Sequence, residues 1–383
     1  MHYYRFRPYS ELSLKELLYS EIYFASPEEC NDPFDSKTFH RFPGDFKKWT
    51  KLLGLACEQA KIQLNQEYLI FLAQHICKKC PLSFEEVLQE SLFKDFNHPE
   101  LNNFALLEAI YRSICGIVKL YQPLIPHFVS FSKINNEFLM WSHYADSHKG
   151  YCLIFKAIDG SLYQSHIHLK RSIHRKTPHG FASEMSYELP KMFPFVDIDY
   201  TTEVEHLNGF LYMPVYVTGD ANSEEERIGI INQQQSHYSQ KGLSWQYEKE
   251  SRLILHPPPS WLFGENVYYS KQERLFHYEP SQLVGIIYGA QMSQDNKTRI
   301  RELLRERKDW VDLNSHYKRT VFRFIEFEAK LSANQRNVEV HPLSIDLPIT
   351  IYKTDKDFDR LYKEWNDGIG FEREGNKSTR VKV

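Results

Sequence analysis

Tyr3-Tyr4-Arg5-Phe6-Arg7-Pro8 alternates aromatic and basic residues with a period of two. This is the pattern of a short strand with one buried face, and Pro8 stops it. Ser10 is placed to cap a short helix running through Leu18. Glu21-Ile22-Tyr23-Phe24-Ala25-Ser26-Pro27 reads as a second strand, and Asn31-Asp32-Pro33-Phe34-Asp35 as a turn in which Asx side chains bond their own backbone. Strand grammar returns at His127 to Ser132, in the nearly apolar Tyr151 to Phe155, at Tyr247 to Leu255 and at Leu283 to Tyr288. From Asp45 to Tyr121 the apolar spacing is instead three or four, as at Leu52, Leu55 and Ala56 and at Leu69, Leu72, Ala73 and Ile76, which predicts several helices. The expected fold is α+β, a mixed or antiparallel β-sheet core with a helical insertion. Its expected organisation is a core over 1–44 and 124–307, an insertion over 45–123 and a C-terminal extension over 308–383.

Finer expectations follow from the same patterns. Phe138 to Ala145 has helical spacing. The stretch from Asp159 to Pro214, with His166, His168, His174 and His179, has weak periodicity and reads as a loop. Met213 to Val217 reads as a strand, Ser223 to Tyr238 as a polar helix, Asp295 to Arg307 as a helix, Thr320 to Ala329 as a strand and Phe358 to Trp365 as a helix. Glu372 to Val383 is charged and is expected to fray.

The chain of 383 residues carries 47 basic and 50 acidic side chains, a net charge of -3. No global positive field exists to recruit nucleic acid or an anionic membrane. A hydrophobic share of 42% with 25% charged residues excludes dominant disorder, and a 15% aromatic share predicts rings in the core and on a ligand-facing surface. The start lacks a basic region followed by an apolar stretch, and no run approaches the roughly 18 apolar residues of a membrane span. A cytoplasmic protein without a membrane segment is expected. Cys30, Cys57, Cys77, Cys80, Cys115 and Cys152 are spread unlike a disulfide scaffold, so free thiols are expected. The lone Cys77-Lys78-Lys79-Cys80 lacks a second pair or a thioredoxin-like setting and reads as a helical coincidence.

Three constellations can carry chemistry. On a strand from Tyr247, alternation places Glu248, Glu250 and Arg252 on one face, where one carboxylate held charged by Arg252 can polarise a hydroxyl. The competing reading is a solvated face with a cross-strand ion pair. Arg5 and Arg7 share a strand face and suit a bidentate grip on phosphate, or else a structural pair to Asp32 or Asp35. Trp141, His143, Tyr144, Asp146 and His148 offer a stacking ring, imidazoles and a carboxylate. The alternatives there are a packed Trp with a hydrogen-bonded His143, a substrate contact, and a metal site needing a further ligand. Motifs for dinucleotide-binding, P-loop, zincin and serine-hydrolase sites are absent from the sequence.

Tyr3 to Pro8, Ile22 to Pro27 with Asn31 to Asp35, Phe138 to Gly150, and Tyr247 to Leu253 together resemble the bacterial domain-of-unknown-function family DUF2971, and Leu283 to Ala290 looks like that family's closing unit. The resemblance implies a bacterial cytoplasmic protein of toxin-like or phage-defence settings. The Glu-x-Glu pattern further resembles the acidic motif of ADP-ribosyltransferases, whose second Glu binds a ribose hydroxyl of NAD while the bond to nicotinamide breaks. That likeness implies catalytic roles for Glu250 and Glu248, with His143 and Tyr144 beside them. It implies an NAD grip by Arg5, Arg7, Tyr23, Ser26 and Trp141, and no metal. The target would be a protein or nucleic acid; apart from the resemblance, the apolar stripes of 45–123 exceed what one helix pair needs and predict a homo-oligomer or regulatory contact there. Two further function classes stand beside this one: a noncatalytic sensor or nucleic-acid-binding module, and a metal-dependent nuclease using Asp32, Asp35 and Glu248. Arg5, Arg7, Tyr23, Ser26, Trp141, His143, Tyr144, Glu248 and Glu250 are expected to meet in one cleft.

Overall fold

The computed structural model describes residues 1–35, 39–97, 103–122, 124–165, 170–176, 182–203, 206–219, 239–257, 269–314, 320–346, 350–374 and 377–382, with single residues at 225, 228, 229, 236 and 238. Its centre is a sheet of nine strands: β1 (His2–Arg7), β2 (His127–Ser132), β3 (Tyr151–Lys156), β4 (Val196–Asp197), β5 (Glu250–Leu255), β6 (Leu283–Tyr288), β7 (Phe324–Leu331), β8 (Val338–Asp346) and β9 (Thr350–Tyr352), in the order β4-β5-β2-β1-β3-β6-β7-β8-β9. Neighbours run antiparallel except β6 and β7, which are parallel, so the sheet is mixed and the fold is α+β. Three strands come from residues beyond 323, within the stretch expected as an extension.

Helices cover both faces. On one side lie α1 (Glu11–Tyr19) and α6 (Gln294–Asn314), where Leu14, Leu17, Ile300 and Leu303 pack on Tyr3, Leu153, Phe155 and Ile286. The other side carries α5 (Phe138–Tyr144) and α7 (Phe358–Asn366), where Trp141, Phe358, Leu361 and Trp365 pack on Phe6, Ile154 and Ile287. Alternating faces of the central strands thus feed two cores, as the pleat dictates. The helices α2 (Phe46–Gln59), α3 (Gln66–Lys79) and α4 (Phe104–Tyr121) bury their stripes in a third core, built round Trp49, Leu52, Leu72, Ile76 and Ile114 and completed by Phe210, Met213 and Val217. Their starts are capped by Asp45, Asn65 and Asn103, whose side chains accept backbone N–H groups of the first turn. Among the described residues no helix is long and apolar enough to cross a membrane, and the six cysteines are free thiols.

Several local expectations are corrected. Val215–Thr218 is a helical turn instead of a strand, because the Pro214 carbonyl accepts from the N–H groups of Val217 and Thr218. The stretch read as a loop holds strands Ser161–Tyr163 and Met192–Pro194, which pair with each other, and the hairpin Lys170–Lys176 with Ala182–Glu188. His166, His168 and His179 lie outside the described residues, as does most of the helix expected over Ser223 to Tyr238. The tail expected to fray forms the hairpin Ile369–Glu374 with Lys377–Lys382. In each case the hydrogen bonds come from turn or strand-pairing geometry that side-chain periodicity does not announce.

One irregularity of the sheet positions the site. β1 pairs with β3 along its whole length, whereas among the described residues it pairs with β2 only at Tyr4–Ser132. Beyond that rung the two strands part, and Ala25 closes the far end by exchanging both backbone hydrogen bonds with Phe128, at 2.9 Å each. The sheet is therefore split between β1 and β2.

Candidate functional site

A cleft of about 380 Å³ opens at this split, and consecutive residues of both parted strands line it: Tyr4 to Arg7 on one side and Phe128 to Ser132 on the other. Successive strand residues point to opposite faces, so only a cavity lying in the plane of the sheet can touch them all. The volume falls in the range of small-molecule sites.

Tyr4, Ser132 and Glu250 occupy one row across β1, β2 and β5. Their side chains share a face, and Arg5 and Arg7 leave on the opposite one, towards α1. There Arg7 Nη2 meets Glu16 Oε2 at 2.5 Å while Arg5 Nη2 stands 4.0 Å from the same oxygen. The expected alternative pairing to Asp32 or Asp35 is not made; Glu16 serves instead. One carboxylate thus faces two guanidinium groups, and the nearer takes it. Arg5 is buried, and that burial, helped by the charge of Arg7, lowers its pKa to about 10. A buried guanidinium with so distant a counter-ion is ready for an anion.

The other face holds a buried charge cluster. Arg252 donates from Nε to Glu250 Oε1 at 2.7 Å and from Nη2 to Asp35 Oδ2 at 2.7 Å, and stacks on Phe128 with its guanidinium carbon 4.1 Å from the ring centre. Lys241 Nζ donates to Glu248 Oε2 at 2.6 Å and to Glu250 Oε2 at 3.0 Å. Tyr144, on the last turn of α5, donates its hydroxyl to Glu248 Oε1 at 2.6 Å. Among the described residues three carboxylates therefore face two cations in this cluster, which leaves one negative charge in excess among them. Burial raises Glu250, but Arg252 and Lys241 outweigh it and hold the carboxyl at about 2. Burial raises Glu248 as well, and there Lys241 offsets it only in part, so its pKa lies above the usual carboxylate range. The two acids have separate characters: Glu250 is a fixed anion saturated by partners, and Glu248 is the group that can exchange a proton.

The local chain explains how Glu248 arrives. Leu243–Glu248 forms a 3-10 turn, and Lys249 takes a left-handed conformation (φ 46) before β5 begins at Glu250. Glu248 is thus not a member of the strand, which corrects the expected alternation. It folds back beside Glu250 because Ser132 Oγ donates to its carbonyl at 2.7 Å and the Glu250 N–H donates to Tyr200 Oη at 2.7 Å. Tyr144 is fixed through Gly150. A Cβ on Gly150 would lie 2.2 Å from the carbonyl oxygen of Arg7, so only glycine permits the chain after α5 to pass the end of β1.

Of the expected site residues, Arg5, Arg7, Tyr23, Tyr144, Glu248 and Glu250 line this one cleft, the arginines from one face and the acids from the other. Trp141 does not. It is fully buried behind Phe6, its Nε1 donating to the Asn135 carbonyl at 2.7 Å. His143 is exposed outside the cleft, and Ser26 opens the turn Pro27–Glu29, with its N–H donating to Glu29. Asp32 accepts from the Phe34 N–H at 2.8 Å, and Asp35 is taken by Arg252. Among the described residues no group of three His, Cys, Asp or Glu side chains is arranged to hold a metal. Lys241, Glu16 and Trp245, whose ring centre lies 4.9 Å from Lys241 Nζ, were not foreseen; nothing in the pattern around Gln240-Lys241-Gly242 marks them.

Residues 140–253 match a family described as a protein of unknown function (DUF2971). The matched stretch contains Tyr144, Lys241, Glu248, Glu250 and Arg252 and leaves out Arg5, Arg7, Glu16 and Asp35. No curated protein and no solved structure matches the chain, so the likeness to ADP-ribosyltransferases rests on the sequence pattern alone.

Proposed function

We propose that the protein is an enzyme that binds a phosphate-bearing nucleotide, NAD foremost, in the split between β1 and β2 and breaks its ribosyl bond with Glu248 as the working acid. The observation that carries this reading is the polarity of the cleft: an under-neutralised Arg5 at one face, and at the other a cluster whose described groups are three carboxylates against two cations, with Glu248 as the protonatable member. Arg5 anchors the diphosphate, and Tyr23, Tyr144 and Trp245 offer rings to the bases. As the bond from ribose to the nicotinamide nitrogen breaks, its electron pair leaves with nicotinamide. The developing ribosyl cation lies beside the anionic Glu248. Water or an acceptor hydroxyl then forms the new bond and gives its proton to Glu248.

Relative to the sequence expectation, the working role passes from Glu250 to Glu248, because Arg252 and Lys241 together hold Glu250 as a fixed anion while burial raises Glu248. Nicotinamide release from NAD, with and without protein and nucleic-acid acceptors, tests the reading. Glu248→Gln is expected to lower it by about a hundredfold or more; no release by the wild-type chain rejects it. In a cell this chemistry gives a toxin-like or phage-defence effector, so expression should arrest growth with the wild-type chain and not with Glu248→Gln. A noncatalytic sensor is the second reading, favoured by the mutual saturation of Asp35, Arg252, Glu250 and Lys241. It predicts nucleotide binding with no product.

A further inference from the structure

The missing rungs between β1 and β2 identify what part of a ligand enters the split. Phe128 exchanges both its hydrogen bonds with Ala25, so its N–H and C=O point away from β5 and towards β1. In an antiparallel ladder every second residue points the same way, which gives Ser130 and Ser132 that direction too. Ser132 meets Tyr4. The register Tyr4–Ser132 makes Phe6–Ser130 the next hydrogen-bonded rung, and among the described residues that rung is not made. One N–H and one C=O of Ser130 therefore face Phe6 across the cleft, unpaired by any strand. Ser130 is exposed although Phe128, Val129, Phe131 and Ser132 around it are buried, so the opening reaches this backbone.

Main-chain groups left in such an opening are satisfied by water, which a ligand with matching donors and acceptors can displace. Adding a peptide strand is a poor match, because only one rung is vacant between two closed ones. A planar group that presents one acceptor and one donor side by side fits a single rung. Such a group is a primary carboxamide or the lactam edge of a nucleobase.

We infer that Ser130 is a main-chain recognition site for an amide edge of the ligand, its N–H donating to the ligand carbonyl and its C=O accepting from the ligand N–H. This deepens the nucleotide reading and rests on it, since it assumes that the split is the binding site.

The test uses the full chain labelled with ¹⁵N-serine, the Ser130 amide being assigned by its loss in Ser130→Ala. Nicotinamide and uracil are the probes for the two amide sources, and 3-acetylpyridine, which keeps the carbonyl and loses the N–H donor, is the control. Either amide probe should shift the Ser130 resonance, and 3-acetylpyridine should bind about threefold to tenfold more weakly than nicotinamide; which amide binds more tightly names the source. An unmoved Ser130 amide at saturating probe, equal binding of 3-acetylpyridine, or no binding of either amide overturns the inference. A parallel titration with pyrophosphate, read through its loss in Arg5→Gln, separates the two failures. Pyrophosphate binding without an amide response removes this inference alone, and loss of both removes the nucleotide reading as well.

Discussion

Replacing Glu250 with Gln should unfold the protein more readily, whereas the same change at Glu248 should spare the fold. Glu250 is 2% exposed and accepts from Arg252 and Lys241. A carboxyl held at about 2 in place of its ordinary 4.5 represents about 3 kcal/mol of interaction with its surroundings, at ~1.4 kcal/mol per tenfold change. The amide of Gln keeps one acceptor and turns a donor towards Arg252 or Lys241, so the loss should approach the ~3–5 kcal/mol typical of a broken buried pair. Glu248 differs, because its replacement removes the surplus negative charge while an amide oxygen still accepts from Tyr144 or Lys241. Its cost should be about 1 kcal/mol or less. Urea denaturation followed by tryptophan fluorescence measures both midpoints on matched samples. Equal midpoints for Glu250→Gln and wild type, or a lower midpoint for Glu248→Gln than for Glu250→Gln, would refute the division of labour between the two acids.

Tyr144→Phe removes the hydroxyl that stabilises the Glu248 anion, so the acid limb of any pH-rate profile should move to higher pH; an unmoved limb would place the working group elsewhere. Stability should fall on acidification, because Glu250 contributes fully above its ordinary value near 4.5 and loses that contribution as pH drops towards about 2. Glu248, raised in the folded state, contributes in the opposite sense: its share is full below the ordinary value and is lost as pH rises through the raised one. Urea midpoints in wild type, Glu250→Gln and Glu248→Gln across this range separate the two. Arg5→Met removes a buried charge with only a distant counter-ion, so thermal unfolding should be unchanged or slightly raised; a loss of several degrees would show Arg5 to be structural. A partner or oligomer contact through 45–123 predicts that Phe104→Ser, at a side chain 80% exposed, alters sedimentation without altering helix content; identical sedimentation removes it.

The parts of this molecule that announce themselves locally were legible. The Ser10-capped helix, the period-two run from Tyr3, the stripes of α2 and α3 and the apolar Leu283 to Tyr288 each carry their own pattern. What escaped depends on pairing and backbone geometry that side-chain periodicity does not record. The hairpin at the C-terminus has a charged composition and is held by its register. Glu248 is parted from the strand by a left-handed Lys249 that no alternation foresees. Lys241 gains meaning only when Glu248, Glu250 and Asp35 close round it. The split itself is written in the absence of a rung, which leaves no mark in composition or period, and it is why arginines and acids on opposite faces can share one cleft.

Calorimetric titration of ADP-ribose, which carries a diphosphate and two riboses and has no nicotinamide to lose, tests the central claim most directly when run on wild type, Arg5→Gln and Glu248→Gln. The cleft described above predicts one site on the wild-type chain, binding at least about tenfold weaker in Arg5→Gln, as loss of a charge-assisted contact dictates, and near-native binding in Glu248→Gln. Equal affinity of wild type and Arg5→Gln, or no binding by the wild-type chain, would contradict it.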